Sequence, residues 1–388
     1  MKRVIVYSLL LIAGMGFSQL GFAEAWPEVI AALTMILLAY IMIEVGMEFD
    51  IDKSHLGQYG ADALIAMGAA AIPWLFAAGY FWWIFNLGIK ESLLVGRFAS
   101  PTSAGILFTM LAAAGLAATW VYKKARILAI FDDLDTVILM IPLKMLLIGF
   151  EPKLLMLIAV ILAFLGVAYF CIHWLTVPTN SAWVAVYALL VWGVCFAFEY
   201  VTELHLEVLL PAFALGCLIK SDHLHGSAEY SAQDIPTAHH VSSWEGVLDQ
   251  GIKGTFMFLA GMALPPIQLG AMGLGVAAIH VIVITVLSNI GKCVPLAAYR
   301  DEAGIRQRLA LSVGMFPRGE VGIGVLLVSL EVFRQQGMLN APGVQESMAL
   351  AALSLALNLA LTGLFILVVI KLLKRPDSEI HKSVRVRI

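Results

Sequence analysis

The sequence predicts an all-α polytopic membrane protein of about twelve transmembrane helices, built on inverted-topology repeats with two broken crossing helices. Three observations carry this reading. Hydrophobic residues make up 61% of the 388-residue chain and charged residues only 13%, against about 25% charged in soluble proteins. Apolar stretches long enough to cross a bilayer recur along almost the whole length. Two of those stretches are interrupted by proline and glycine at matching places.

The spans read at roughly 4–22, 28–48, 60–86, 92–116, 126–148, 153–173, 181–199, 205–220, 251–266, 271–298, 306–331 and 346–373. With the N-terminus inside, 17 of the 24 basic residues face the cytoplasm, and only Lys90, Lys153 and Arg334 face outside. Arg97, Lys144, Lys292 and Arg318 lie within spans. Such asymmetry follows the positive-inside rule and supports the span count. Residues 1–25 read either as a first transmembrane span or as a signal peptide, because Lys2-Arg3, an apolar run and Ala23-Glu-Ala25 fit both. Residues 26–374 form the membrane domain, and 375–388 a short cytoplasmic tail. The expected setting is a bacterial inner (plasma) membrane with the C-terminus in the cytoplasm. The net charge of −3 identifies no partner besides lipid, and nothing in the chain points to nucleic acid. The four cysteines lie in apolar segments without paired spacing, so no disulfide framework, metal cluster or cofactor is expected.

Span 5 carries the main anomaly. Asp132 and Asp133 sit in the run Ile127-Leu-Ala-Ile-Phe-Asp-Asp-Leu-Asp-Thr-Val-Ile. An ionisable residue at that depth costs about 3 kcal/mol even on insertion scales. Adjacent carboxylates also repel each other. The pair is therefore expected to bind something charged. Asp135 adds a third carboxyl one turn from Asp132.

The interruptions are Phe98-Ala-Ser-Pro-Thr-Ser-Ala-Gly105 in span 4 and Met315-Phe-Pro-Arg-Gly-Glu-Val-Gly322 in span 11. Proline removes a backbone donor and clashes with the preceding turn. Each interruption lies second in a three-span unit, about 60–148 or 271–373, and the two units enter the membrane from opposite sides. Interrupted spans at corresponding places point to a transporter binding site. Thr102 and Ser103 are expected to cap one break. Glu320 is expected to compensate the other and to pair with Arg318. Asp132, Asp133 and Lys292 are expected to converge on both breaks.

These residues together resemble the monovalent cation:proton antiporter superfamily, with an NhaA/NapA-like fold. Asp132-Asp133 is similar to that family's ion-binding pair, Gly291-Lys292 to its span-10 lysine, and Pro317-Arg-Gly-Glu-Val-Gly322 to its "PRGEVG" element. Met42-Ile-Glu-Val-Gly-Met-Glu48, Ser100-Pro-Thr-Ser103, Leu210-Pro-Ala-Phe-Ala-Leu-Gly216 and Phe256-Met-Phe-Leu-Ala-Gly-Met262 follow its other elements in order. The resemblance covers about residues 30–370. It implies a secondary antiporter, not an enzyme, exchanging Na⁺ (or Li⁺) for H⁺ by alternating access, in the electrogenic branch. It implies that Asp133 carries the transported Na⁺ or proton, and that Asp132 pairs with Lys292 until the cation arrives. Thr102 and Ser103 would add neutral oxygens, and Arg318 and Glu320 would balance charge. A homodimer is implied, with the spans outside the repeat units as scaffold.

A K⁺/H⁺ antiporter of the same fold and a sodium-coupled organic-anion symporter remain open as alternatives. The Tyr-Asp and Gly-X-Gly-Asp elements of an intramembrane aspartyl protease are absent. Arg97 and Lys144 depart from the family pattern, and an Arg97–Asp135 pair is an expectation of this sequence alone. Glu44 and Glu48 read as the end of span 2, and Glu199, Glu203 and Glu207 as a solvated turn. His223, His225, His239 and His240 read as a solvated loop, and His280 as a satisfied core histidine.

Overall fold

A computed structural model describes residues 2–21, 26–47, 56–103, 119–148, 174–202, 208–219, 243–264 and 272–374, with a few single positions between. The sixth span, the histidine loop and the residues directly after Ser103 fall outside this set. So do the side chains of Asp133 and Lys144.

Every named element is a helix. In chain order they are α1 Lys2–Gln19, α2 Pro27–Met47, α3 Leu56–Ile84, α4 Ile89–Gly96, α5 Trp120–Ile138, α6 Met140–Ile148 and α7 Ser181–Thr202. Next come α8 Leu209–Leu218, α9 Ser243–Ala263, α10 Leu274–Gly291, α11 Val294–Ala298, α12 Ile305–Gly314, α13 Glu320–Gln335 and α14 Val344–Lys374. Among the described residues, five helices are apolar and long enough to cross a membrane: Pro27–Met47, Gly60–Ile84, Ser181–Val201, Leu274–Ala298 and Val344–Leu373. Helices satisfy their own backbone groups, which is what hydrocarbon demands of a spanning segment.

The helices pack in two neighbourhoods. Helix α3 touches α4, α5 and α10, and α14 touches α10 and α12. Elsewhere α1 lies along α9, while α2 lies along α7, α8 and α9. Helices α1, α2 and α9 meet α13 and α14 between the two groups.

Apolar burial does not drive helices together in lipid, so close packing must. Gly46 of α2 and Gly216 of α8 meet backbone to backbone; a Cβ on Gly46 would lie 2.9 Å from Gly216 Cα and closer still to the Phe213 carbonyl. Gly14 of α1 and Gly261 of α9 repeat the arrangement, with a Cβ on Gly14 3.0 Å from Gly261 Cα. Ser18 donates to Leu264 O at 2.7 Å beside that contact. Helix α1 thus packs closely against α9.

The span read at 271–298 as one helix is two. Helix α10 stops at Gly291, Lys292 and Cys293 form a turn, and α11 restarts at Val294. Gly291 is pressed against Pro73 inside α3, where a Cβ would sit 2.5 Å from the proline nitrogen. Pro295 lies in the first turn of α11 and has no N–H to continue the ladder.

Candidate functional site

Both interrupted segments unwind where the sequence places proline. Helix α4 tightens into a 3-10 turn over Arg97–Ala99, and Ser100 to Ser103 leave the helix. Helix α12 ends at Gly314, Phe316 to Gly319 are non-helical, and α13 begins at Glu320. The two unwound stretches bind each other. The Ser103 N–H donates to Pro317 O at 2.8 Å. The Thr102 hydroxyl donates to Met315 O at 3.2 Å, and the Ser103 hydroxyl to Glu320 Oε2 at 3.2 Å. Backbone groups released by one break are therefore taken up by the other, as buried polar groups require.

Asp132 on α5 and Lys292 at the α10–α11 turn face this crossing. The Lys292 ammonium lies 2.8 Å from Asp132 Oδ1 and 2.6 Å from Oδ2. Both side chains are fully buried, at 0% exposure. Lys292 also donates to Ser100 O, so one ammonium ties α5 to the first break. Thr102 lies beside the same carboxylate, and Arg318, bonded to the Ala99 oxygen next to the Ser100 oxygen that takes Lys292, brings a second positive charge near it. The Ser100 and Thr136 hydroxyls meet at 3.0 Å, and Thr136 bonds back to Asp132 O at 2.8 Å. Asp133 follows Asp132 on α5. Asp135 is buried at 4% exposure, and its Oδ2 accepts no hydrogen bond among the described residues.

Two expectations need correction. Arg318 does not pair with Glu320. Its Nε donates to Ala99 O at 2.9 Å, its Nη2 to Ser288 O at 2.8 Å and its Nη1 to Asn289 Oδ1 at 2.6 Å. Gly319 lies between the two residues at φ −136° and ψ −126°, outside both the helical and the extended regions, and the start of α13 turns Glu320 toward Ser103 instead. There the carboxylate faces the helix N-terminus, where the dipole favours it. Among the described residues Asp135 forms no ion pair with Arg97, although both are buried.

Other polar residues fall away from this centre. Glu44 is paired with Lys253 at 2.9 Å, which also holds Asp249 at 2.8 Å. The His280 Nδ1 meets the Tyr80 hydroxyl at 2.6 Å, as expected of a satisfied histidine. Glu199 accepts from Gln335 at 3.3 Å. A further polar cluster has no signal in the sequence pattern, because its members come from distant segments. Lys124 on α5 bridges Asp62 on α3 at 2.8 Å and Glu302 at 3.2 Å, while the Tyr299 hydroxyl donates to Asp62 at 2.6 Å. Burial and the Asp62 hydrogen bond hold the Tyr299 phenol well above its ordinary value. Among the described residues, no group of three or more histidine, cysteine or acidic side chains is placed to hold a metal.

Comparison with known proteins bears on the class. A family model described as "Sodium/hydrogen exchanger, transmembrane" matches residues 3–372. No curated protein sequence matches the chain. A solved structure of the sodium proton antiporter MjNhaP1 from Methanocaldococcus jannaschii is similar, with a TM-score of 0.66 and 16% identity over 95% of this chain and 92% of that one. At that identity the likeness shows the fold. The chain belongs to the sodium/hydrogen exchanger family. It is accordingly an integral multi-pass membrane protein and a secondary cation/proton antiporter, not an enzyme.

Proposed function

We propose that this antiporter exchanges Na⁺ (or Li⁺) for H⁺ electrogenically, by competition between cation and proton at Asp132 and Asp133. The observation that carries the reading is the buried Lys292–Asp132 ion pair set against two crossed, unwound segments. A hard monovalent cation wants oxygen ligands. Thr102 lies beside Asp132, Ser103 would add a second neutral oxygen, and unwound segments offer carbonyls. In the proposed cycle a cation binds at Asp133 with help from Asp132. Lys292 then gives up its carboxylate, and protons reload the pair on the other side. Both ligands compete for the same carboxylates, so neither flows without the other. Arg318 and Glu320 keep the crossing near electrical balance.

Alternating access in such folds is rocking of one bundle against another around a fixed site. The moving part of the proposed cycle is the pair of units around 60–148 and 271–373. The remaining spans serve as scaffold and as the surface for a homodimer. The glycine contacts of α1 with α9 and of α2 with α8 support a scaffold that moves little.

The test is transport by purified protein in liposomes with an imposed pH difference. Addition of Na⁺ or Li⁺ should dissipate it and generate a membrane potential, whereas K⁺ should not. Dissipation by K⁺ alone would move the chain to potassium exchange. No response to any of the three between pH 6.5 and 9 would overturn the proposal.

A further inference from the structure

Arg318 is buried at 1% exposure, yet no carboxylate lies within ion-pairing distance of it among the described residues. A buried arginine ordinarily finds a carboxylate, because an unpaired charge out of water is costly. Among the described residues every acceptor of Arg318 is neutral. Three are backbone oxygens, of Ala99 at 2.9 Å, Ser288 at 2.8 Å and Phe316 at 3.4 Å. The fourth is the side-chain oxygen of Asn289, at 2.6 Å the shortest of the set.

Asn289 lies on α10, one turn before Lys292, and Asn358 lies in the middle of α14. Asn358 Nδ2 donates to Asn289 Oδ1 at 3.0 Å, and Asn358 Oδ1 accepts from the Arg318 backbone N–H at 2.9 Å. Asn289 Oδ1 thus faces two donors, which fixes its amide with the oxygen toward the guanidinium. Asn358 takes up a backbone donor freed by the second break and at the same time orients Asn289. The two asparagines, from two helices, grip both the main chain and the side chain of one residue.

We propose that Asn289 and Asn358 are positioning residues for ion exchange. They hold the Arg318 guanidinium on neutral oxygens, as a fixed charge that acts on Asp132 without competing for it. This deepens the antiport reading and rests on it. Asp132 can serve the cation only if it exchanges a single partner, Lys292. A guanidinium free to swing would be a second partner, and a stronger one, since it binds carboxylates through two parallel hydrogen bonds. A carboxylate in place of Asn289 would hold Arg318 as firmly but cancel its charge. An amide is the group that holds it and leaves the charge intact.

The two substitutions at one position therefore act in opposite directions. Na⁺-driven proton movement is measured in proteoliposomes at fixed pH, separating apparent KM from maximal rate. Asn289→Ala loosens Arg318 and should raise the apparent KM for Na⁺ about fivefold, the equivalent of one lost hydrogen bond. Asn358→Ala should raise it in the same direction. Asn289→Asp cancels the fixed charge and should lower the apparent KM by a similar factor of about five. A clamp that merely braces the fold would lower maximal rate in all three variants at unchanged KM, and that outcome overturns the proposal. So does a shift of Asn289→Ala and Asn289→Asp in the same direction. If the alanine variants do not fold, Asn289→Asp decides alone: a lower KM supports the proposal, and an unchanged or higher one overturns it. Wild-type protein inactive toward Na⁺, Li⁺ and K⁺ would overturn the antiport reading itself.

Discussion

The Ser103 N–H donates to the Pro317 carbonyl at 2.8 Å, joining two unwound segments that are 214 positions apart in the chain. The bond is backbone to backbone, so side-chain identity at either end does not decide it. It decides only which residues cannot stand there. Ser103→Ala keeps the bond and loses the 3.2 Å contact with Glu320, a cost of about 1 kcal/mol. Ser103→Pro deletes the donor and leaves the Pro317 oxygen buried without it. Thermal unfolding in detergent should show a small shift for alanine and a collapse for proline. Equal shifts would mean that the crossing does not depend on this bond.

Removal of Lys292 leaves Asp132 buried at 0% exposure without its ion partner. Breaking a buried pair from one side costs about 3–5 kcal/mol. Lys292→Ala should therefore lower the melting temperature markedly, and Asp132→Asn with Lys292→Ala should recover part of the loss. A double variant no more stable than the single one would show that the pair contributes little.

The proposed carrier is Asp133. Asp133→Asn should reduce exchange by about 100-fold or more at every pH, the loss expected when a group acts in each step of a cycle. Asp132→Asn should leave slower exchange with altered cation dependence. Proteoliposome transport that survives intact in Asp133→Asn would move the site elsewhere.

Gly46 and Gly216 let α2 and α8 touch through their backbones. Gly216→Val should destabilise by about 1–3 kcal/mol through overpacking. Gly193→Ala on α7 meets nothing within 4 Å and is the matched control. Melting temperature in detergent should separate the two; equal values would argue against tight packing at the first site.

The Asp62–Lys124–Tyr299 cluster gives a pH prediction. The Tyr299 phenol is raised in the folded protein by burial and by its bond to Asp62. A group raised on folding contributes stability that is complete below its unfolded value, about 10 for tyrosine, and is lost only as pH climbs above that. The melting-temperature difference between wild type and Tyr299→Phe should therefore stay constant from about pH 7 to pH 9.5 and shrink above it. A difference that fades below about pH 9 would contradict the raised phenol.

The sequence carried what is local. Proline and glycine marked both breaks, because backbone chemistry is written at the residue where it acts. The aspartates stood out because charge within an apolar run is anomalous whatever surrounds it. Partnerships were harder. Glu320 and Arg318 are two residues apart and of opposite charge, and the expected pair does not form, since Gly319 turns one toward Ser103 and the other toward Asn289. Asn289 and Asn358 carry no signal in the sequence, because a neutral amide costs little in a span and only its neighbours give it meaning. The turn at Lys292 had a readable signal in Gly291 and Pro295, four residues apart. The approach of Gly291 to Pro73 that accompanies it was not readable, because it links distant spans.

Lys292 is part of the chain, so it meets Asp132 as a tethered competitor whose strength does not vary with conditions outside. Tethering acts as an effective concentration set by geometry alone. In the proposed cycle a free cation must outcompete that constant before the lysine lets go. The carrier would then idle while cation activity stays below the built-in level and turn over once it rises above it. The ion pair would in this way act as the protein's own set-point, written into one side chain and adjustable by any change in how closely that side chain is held.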